Sequence, residues 1–436
     1  MNIAPQALLL ESFHAAVAAA DPLQIVAAHL PPPPSGHVLV VGAGKAAASM
    51  AAAVEAAWPQ VALDGLVITR YGHALPTQRI RVIEAGHPVP DEAGELAARE
   101  ILQRAQALGP GDLLLALVSG GGSALLSLPV DGVPMADLKA TTRELLRSGA
   151  PIEQMNVVRK HLSQIQGGRL AQAAVAGGAQ VLALVVSDVT GDQPGDIASG
   201  PCAPDPSSYA DAQAILQRHG CAVPESVRAH LARGAAGAVS ETPKPGDPLF
   251  AQVRNVLIAT AQASLQAGAG VFERHGVRAV ILGDTVTGEA REVAKVYAAL
   301  VRQIRQHGTP FAPPVALISG GECTVTLPPG AGTQGARGGR CTEFLLSLAH
   351  ELQGEAGVHA IACDTDGIDG SESNAGAWWS AEAAACAAAA GLTPAGALDR
   401  HDAWGYFAAA QSLVVTGPTR TNVNDYRAIL ILPDRR

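Results

Sequence analysis

Ser187-Asp188-Val189-Thr190-Gly191-Asp192-Gln193 follows directly on the aliphatic run Val181–Val186. A short, wholly apolar run that stops at a polar, glycine-containing loop reads as a buried strand of a parallel sheet and the loop at its carboxyl end. In an open α/β sheet that end is where ligands bind. Asp188 and Asp192, with Gly191 between them, suit a divalent metal or a polar substrate.

The same device recurs on either side. Val38–Val41 reads as a buried strand that Gly42-Ala43-Gly44-Lys45 turns into a helix from Ala46 to about Trp58. Leu66–Thr69 is a second strand, and Asp91 is placed to cap a helix carrying Leu96, Ile101 and Leu108. Leu113–Val118 ends in Ser119-Gly120-Gly121-Gly122-Ser123, and a helical hairpin over 135–176 leads to the strand 181–186. Residues 7–29 are expected to form a helix closed by the tetraproline 31–34. Strands alternating with helices predict an α/β protein whose first domain, 1–240, is a Rossmann-like parallel sheet covered on both faces.

The Pro-rich stretch 241–248 (ETPKPGDP) is the expected linker. Strands near 255–260, 278–282, 315–319, 358–363, 412–416 and 428–432 then make a second α/β domain with a mixed sheet, 249–436. The loop 328–339, rich in Gly and Pro, is expected to be mobile.

Composition narrows the function. With 48% hydrophobic and 16% charged residues the chain is globular. A net charge of −9 and only 3% aromatics argue against nucleic-acid binding while leaving room for a small anion held by local cations. The six cysteines show no CxxC pair, no Lys or Arg precedes Lys45, and no charge-free apolar run is long enough to span a bilayer. A cytoplasmic protein without membrane partners is expected.

Each strand-end loop then carries a candidate. Gly42-x-Gly44 after a strand is formally a dinucleotide fingerprint, but the ribose-binding acid is missing: the second strand ends in Thr69-Arg70. Lys45 at a helix N-terminus, where a cation opposes the helix dipole, reads instead as part of an anion site. Ser119–Ser123 offers backbone N–H groups over three glycines, as phosphate-cradling loops do. Asn156 opens a stretch that continues to Arg159-Lys160, either a solvated face or a carboxylate or phosphate receptor. Further on, Gly320-Gly321-Glu322, Gly338-Gly339-Arg340 and Asn422-Val423-Asn424-Asp425 load the second domain. Asp364-Thr365-Asp366-Gly367-Ile368-Asp369-Gly370 starts with EF-hand-like spacing but lacks the closing glutamate, so a calcium hand is rejected.

Together VGAGKAAASM, GHPVPDEAG, LVSGGGSALL, MNVVRKHLSQIQGGRLA, SDVTGDQPGDIASGP, ISGGECTV, GGRCTEF, DTDGIDG and TGPTRTNVND resemble the glycerate 2-kinases whose carboxyl-terminal part is the MOFRL region, here about 315–433. The resemblance runs from about residue 8 to 433. It implies ATP-dependent phosphorylation of D-glycerate at the 2-hydroxyl in an interdomain cleft, with Lys45 and Arg340 as catalytic residues. Asp188 or Asp192 then orients the hydroxyl or a Mg²⁺ ion, with Asp364 as a third metal candidate. Gly42, Gly44, Ser119, Gly120, Gly121, Gly122, Ser123, Asn156, Arg159, Glu322, Asp366 and Asn424 are the expected substrate and nucleotide contacts. A homodimer is left open. Two departures stand beside the site: Arg420-Thr421-Asn422 where the family commonly has Gly-Thr-Asn, and Cys341-Thr342-Glu343 where it has Asn-Gln-Glu. Members often bear the label hydroxypyruvate reductase. An NAD(P)H-dependent reductase is therefore the rival reading, supported by Gly42-x-Gly44 and by Arg70 as a partner for an NADP phosphate. Against it, a hydride-transfer site wants an Arg and an acid-oriented His, and the one candidate is His87 in GHPVP, a setting more typical of a structural histidine.

Overall fold

Every residue of Val38–Ala43 (β1) is buried, since this Val/Leu/Gly/Ala run has no side chain that needs water. The computed structural model describes residues 3–327 and 335–433. Around β1 lie Leu63–Arg70 (β2), Ile80–Ala85 (β3), Leu113–Val118 (β4), Gln180–Val186 (β5) and Val253–Ala259 (β6), in the order β3-β2-β1-β4-β5-β6. β3, β2, β1, β4 and β5 pair in parallel throughout. The chain runs outward in one direction from β1 and in the other from β4, so the sheet reverses its order between these two strands. Such a switch point opens a crevice at the carboxyl ends. Ala43 stands opposite Val118, and Val118 opposite Val185, so the three polar loops after β1, β4 and β5 start side by side.

The second sheet contains Arg278–Gly283 (β7), Val315–Ser319 (β9), Val358–Asp364 (β11), Gly376–Trp379 (β12), Leu413–Val414 (β13) and Asp425–Ile431 (β14), in the order β13-β12-β11-β14-β9-β7. Gly288–Glu289 (β8) and Cys323–Thr324 (β10) pair separately. β7 and β9 are parallel and the remaining pairs antiparallel, so this sheet is mixed. The antiparallel register sets Asp364 at the end of β11 opposite Asp425 at the start of β14. The helix Arg340–Leu352 lies over this sheet, with Phe344, Leu345 and Leu348 in one apolar core with β11 and β14 residues.

The chain divides into two compact units, Pro22–Ile258 and a second that joins the segment ending at Asp21 to the chain from Ala259 onward. This differs from the expected boundaries at both places. The stretch 241–248 is no linker: Glu241 accepts from the Tyr209 N–H (3.0 Å), and Thr242 donates to Asp205 (3.0 Å). Its prolines mislead because its polar side chains are bound into the first unit. β6 correspondingly joins the first sheet. The helix Pro5–Ala18 packs Leu8, Leu9 and Phe13 against Leu265, Phe272 and Tyr426 of the second unit. It stops well before the tetraproline, where Pro22 disfavours helix at the residue preceding it. The hairpin expected over 135–176 is three helices, Met135–Arg147, Ile152–His161 and Arg169–Ala176. Residues 328–334 of the glycine loop expected to be mobile lie outside the described residues.

Candidate active site

In the first unit, the loops after β1 and β4 are stitched together. The Lys45 N–H donates to the Gly120 carbonyl (2.9 Å), and the Ala46 N–H donates to Ser119 Oγ (3.0 Å). Ser119 is thus a buried clamp that fixes the Lys45 turn at the start of the helix Ala47–Ala57. Gly42 and Gly44, expected as ligand contacts, have a packing role. A Cβ at Gly42 would lie 2.3 Å from the Leu117 carbonyl, and one at Gly44 2.1 Å from Ser119 Oγ.

The triglycine stretch is different, because what crowds it is polar. A Cβ at Gly120 would lie 1.7 Å from Asp188 Oδ2. One at Gly121, whose φ is +82°, would lie 3.1 Å from His87 Nε2 and 3.6 Å from Lys45 Cγ. Lys45, His87 and Asp188 therefore converge on two consecutive glycines. Asp192, with φ of +53°, has no side-chain hydrogen bond or ion pair among the described residues.

Behind the loop runs a chain of polar contacts that links three elements. Ser123 Oγ and Ser199 Oγ are 2.9 Å apart, Ser199 Oγ donates to Asn156 Oδ1 (3.2 Å), and Asn156 Nδ2 donates to the Asp196 carbonyl (3.2 Å). Ser199 sits in a left-handed run with Ala198 and Gly200. Such backbone costs non-glycine residues on the order of 1 kcal/mol each and clusters where a loop must hold a functional geometry. Sequence reading passed over Ser199; no pattern marks a serine whose partners come from two other elements.

Arg159 donates to Asn156 Oδ1 (3.3 Å) and lines a narrow pocket with Ser123, Ser163, Gln166, Pro88 and Pro90. The pocket's free volume of about 10 Å³ admits one water-sized group. No carboxylate meets this guanidinium among the described residues, and burial holds its pKa below the usual arginine value. Its neighbour Lys160, 5% exposed, faces Asp205 (3.5 Å) and Asp196 (3.7 Å) instead. Neither cation belongs to a solvated face.

In the second unit Arg340 opens its helix surrounded by acids. Nε donates to Asp425 (2.8 Å), Nη2 to Asp364 (2.8 Å), and Nη1 lies 2.9 Å from Glu322. Burial by itself would lower its pKa, but Asp425, Asp364 and Glu322 together raise it, so the group stays charged. Asp425 also binds Arg427, which donates to the Gly320 carbonyl (3.0 Å). A cavity of about 550 Å³ beside Arg340 is lined by Arg337, Glu343 and His401.

The acids of 364–370 have separate tasks. Asp364 holds Arg340 with one oxygen and accepts from the Asp366 N–H (3.0 Å) with the other. Asp366 accepts from the Ile368 N–H (2.9 Å). Asp369, whose carboxyl burial pushes up, caps the Arg340 helix by accepting from the Cys341 (3.0 Å) and Thr342 (2.8 Å) N–H groups. Asn424, at φ of +67°, contributes its carbonyl to Thr365. Arg420 adopts φ of +59°, which accounts for the family's glycine at that position. Asp425 and Asp369 stand in loops that the sequence singles out but carry no role there; the structure sets one on the Arg340 guanidinium and the other at the start of its helix.

Among the described residues no group of three His, Cys, Asp or Glu side chains could hold a metal ion. Asp364, with both oxygens engaged by its own chain, does not fit a metal role. Asp188 and Asp192 offer carboxylates of the kind Mg²⁺ takes when phosphate oxygens and water complete its shell.

The chain matches two family models, "Domain of unknown function (DUF4147)" over residues 8–232 and the MOFRL family over 315–425. It is 50% identical to a "Putative hydroxypyruvate reductase" of Agrobacterium vitis, over 99% of this chain and 95% of that one. It is 40% identical to the glycerate 2-kinase of Pyrococcus horikoshii, over 92% of this chain and 88% of that one. The crystal structure of a glycerate kinase from Thermotoga maritima superposes with a TM-score of 0.86 at 35% identity, over 98% of this chain and 99% of that one. The chain belongs to the family of glycerate kinases that pair a DUF4147 domain with a MOFRL region.

Proposed function

We propose that the protein transfers the γ-phosphoryl group of ATP to the 2-hydroxyl of D-glycerate. The observation that carries this reading is Arg159, a half-buried guanidinium without a carboxylate, beside a glycine loop that Lys45 and Asp188 also reach. A buried charge without a counterion is costly unless a ligand supplies one. The acid's carboxylate fits that need, and the hydroxyl on the adjacent carbon then faces the loop.

Phosphoryl transfer calls for positioning and charge stabilisation rather than covalent chemistry by the protein. Lys45 and Arg340 are the cations that neutralise charge on the transferring group. N–H groups of the Gly120–Gly122 loop bind its oxygens. Asp188 and Asp192 orient the hydroxyl or hold Mg²⁺, whose contribution when bound is to neutralise the phosphates. The nucleotide binds on the Arg340 side, where Glu322, 55% exposed, is the carboxylate a phosphate most readily displaces.

The reductase reading has a relative's name behind it, but the dinucleotide site is not built. β2 ends in Arg70, and Asp64 near its start is engaged by Arg104 (2.6 Å) and His37 (2.9 Å). Purified protein given D-glycerate with MgATP, and separately hydroxypyruvate with NADH or NADPH, should release ADP in the first assay and consume no reduced cofactor in the second. The opposite pair of results would replace the kinase reading with the reductase.

A further inference from the structure

We propose that His87 is a catalytic residue that takes the proton from the hydroxyl being phosphorylated. This rests on the kinase reading above. His87 lies between β3 and the helix Glu92–Gln106, in the segment Gly86-His87-Pro88-Val89-Pro90. As a lone histidine beside prolines it has the look of a structural residue, and nothing in the roles assigned above uses it.

Its surroundings indicate otherwise. The imidazole edge lies against Gly121, where a Cβ would be 3.1 Å from both Cδ2 and Nε2. The same point is 3.6 Å from Lys45 Cγ, so ring and lysine stem share one glycine face. On the other side, Pro88 and Pro90 form the wall of the Arg159 pocket. The segment carrying His87 therefore reaches from the proposed carboxylate receptor to the proposed phosphoryl-binding cation. In a 2-hydroxy acid, the reacting hydroxyl stands between those same two groups.

A neutral imidazole is a base matched to neutral pH, which makes it better suited to this transfer than an ionised carboxylate. The hydroxyl oxygen forms its bond to the γ-phosphorus while the bond from that phosphorus to the β–γ bridging oxygen breaks. ADP leaves with that electron pair, and the hydroxyl proton moves to Nε2 and then to solvent. This needs the tautomer with its hydrogen on Nδ1. Asp188, against Gly120, is left to orient the hydroxyl or a phosphate-bound cation.

The test compares the wild-type protein with His87→Gln and His87→Ala in MgATP and D-glycerate. The expected result is a fall in kcat on the order of 10²-fold for both, with KM for each substrate nearly unchanged. Added imidazole should restore part of the turnover of His87→Ala and have no such effect on the wild type or on Lys45→Ala. Thermal melting checks that each variant is folded, and His87→Gln carries the kcat test if the alanine variant is not. A folded His87→Gln that keeps kcat within about twofold of wild type would overturn the assignment, as would a slow, folded His87→Ala that imidazole leaves unchanged. If the wild type itself releases no ADP, it is the kinase reading that fails. An active wild type with an unaffected variant removes His87 alone.

Discussion

Arg159 and Arg340 are both half-buried guanidiniums, one in each unit, and their surroundings are opposite. Arg159 meets an amide oxygen, whereas Arg340 is bound by Asp364, Asp425 and Glu322. Burial lowers the pKa of the first, while the acids outweigh burial and raise that of the second. On the function proposed, a half-buried cation without an acid is the receptor for an anion, and one with three acids is a positioned group, already neutralised, that shares its partners when a phosphoryl arrives. If the proposed roles hold, Arg159 serves substrate recognition and Arg340 transition-state stabilisation, and the two should fail differently when mutated.

The largest effect is expected at Arg340. Arg340→Ala removes a cation from the transferring phosphoryl, and kcat should fall by 10²-fold or more, on the order seen for such groups. It also takes one guanidinium away from both Asp364 and Asp425, which keep the Asp366 N–H and Arg427, and breaking a buried pair costs about 3 kcal/mol. Chemical denaturation should show that loss. Lys45→Ala should match the kcat loss, and steady-state kinetics would contradict its proposed role if kcat stayed near that of the wild type.

Arg159→Met should act on recognition. Losing a charge-assisted contact of about 1.5–3 kcal/mol raises KM for D-glycerate roughly 10- to 100-fold. Because it removes a half-buried charge that has no counterion, the melting temperature should hold or rise. A fall in melting temperature with unchanged KM would show that Arg159 is structural.

Glu322→Gln tests the sharing of Arg340. An exposed ion pair contributes under about 1 kcal/mol, so freeing Arg340 from it should lower KM for ATP by no more than about fivefold. Steady-state kinetics would reveal a rise instead if Glu322 contacts the nucleotide directly.

The smallest effect is on stability against pH. Burial depresses the pKa of His161 and His230, so both stay neutral in the folded first unit while the unfolded chain takes up protons. Stability should therefore decline as pH falls below the unfolded histidine value, near 6.5. Asp205 and Glu241 are lowered by their partners against the opposing effect of burial, and they extend the decline at lower pH. His161→Leu should blunt the part near pH 6 in a series of thermal melts.

Much of the fold was legible because β1, β4 and β5 are uninterrupted aliphatic runs with glycine at their ends. β12 was missed because Gly376-Ala377-Trp378-Trp379 runs straight into an alanine-rich helix, which hides the change of period. The unit boundary was misread because proline marks a turn equally well in a linker and in a loop bound by Glu241 and Thr242. At the site, charged residues flanked by glycine stood out in the text. What did not were pairings across elements, such as Asp425 with Arg340 or His87 against Gly121, which depend on strand register and on which face of a loop is filled.

The position of the new phosphate bears most directly on the function proposed. An Arg159 receptor for the carboxylate places the neighbouring 2-hydroxyl at the loop, whereas the 3-hydroxyl lies one carbon farther away. Enolase acts on 2-phosphoglycerate directly, but 3-phosphoglycerate must first pass through a mutase. The protein incubated with MgATP and D-glycerate should give a signal in a coupled assay containing enolase and no mutase. ADP formation with a signal only after mutase is added would contradict the placement of the acid on Arg159.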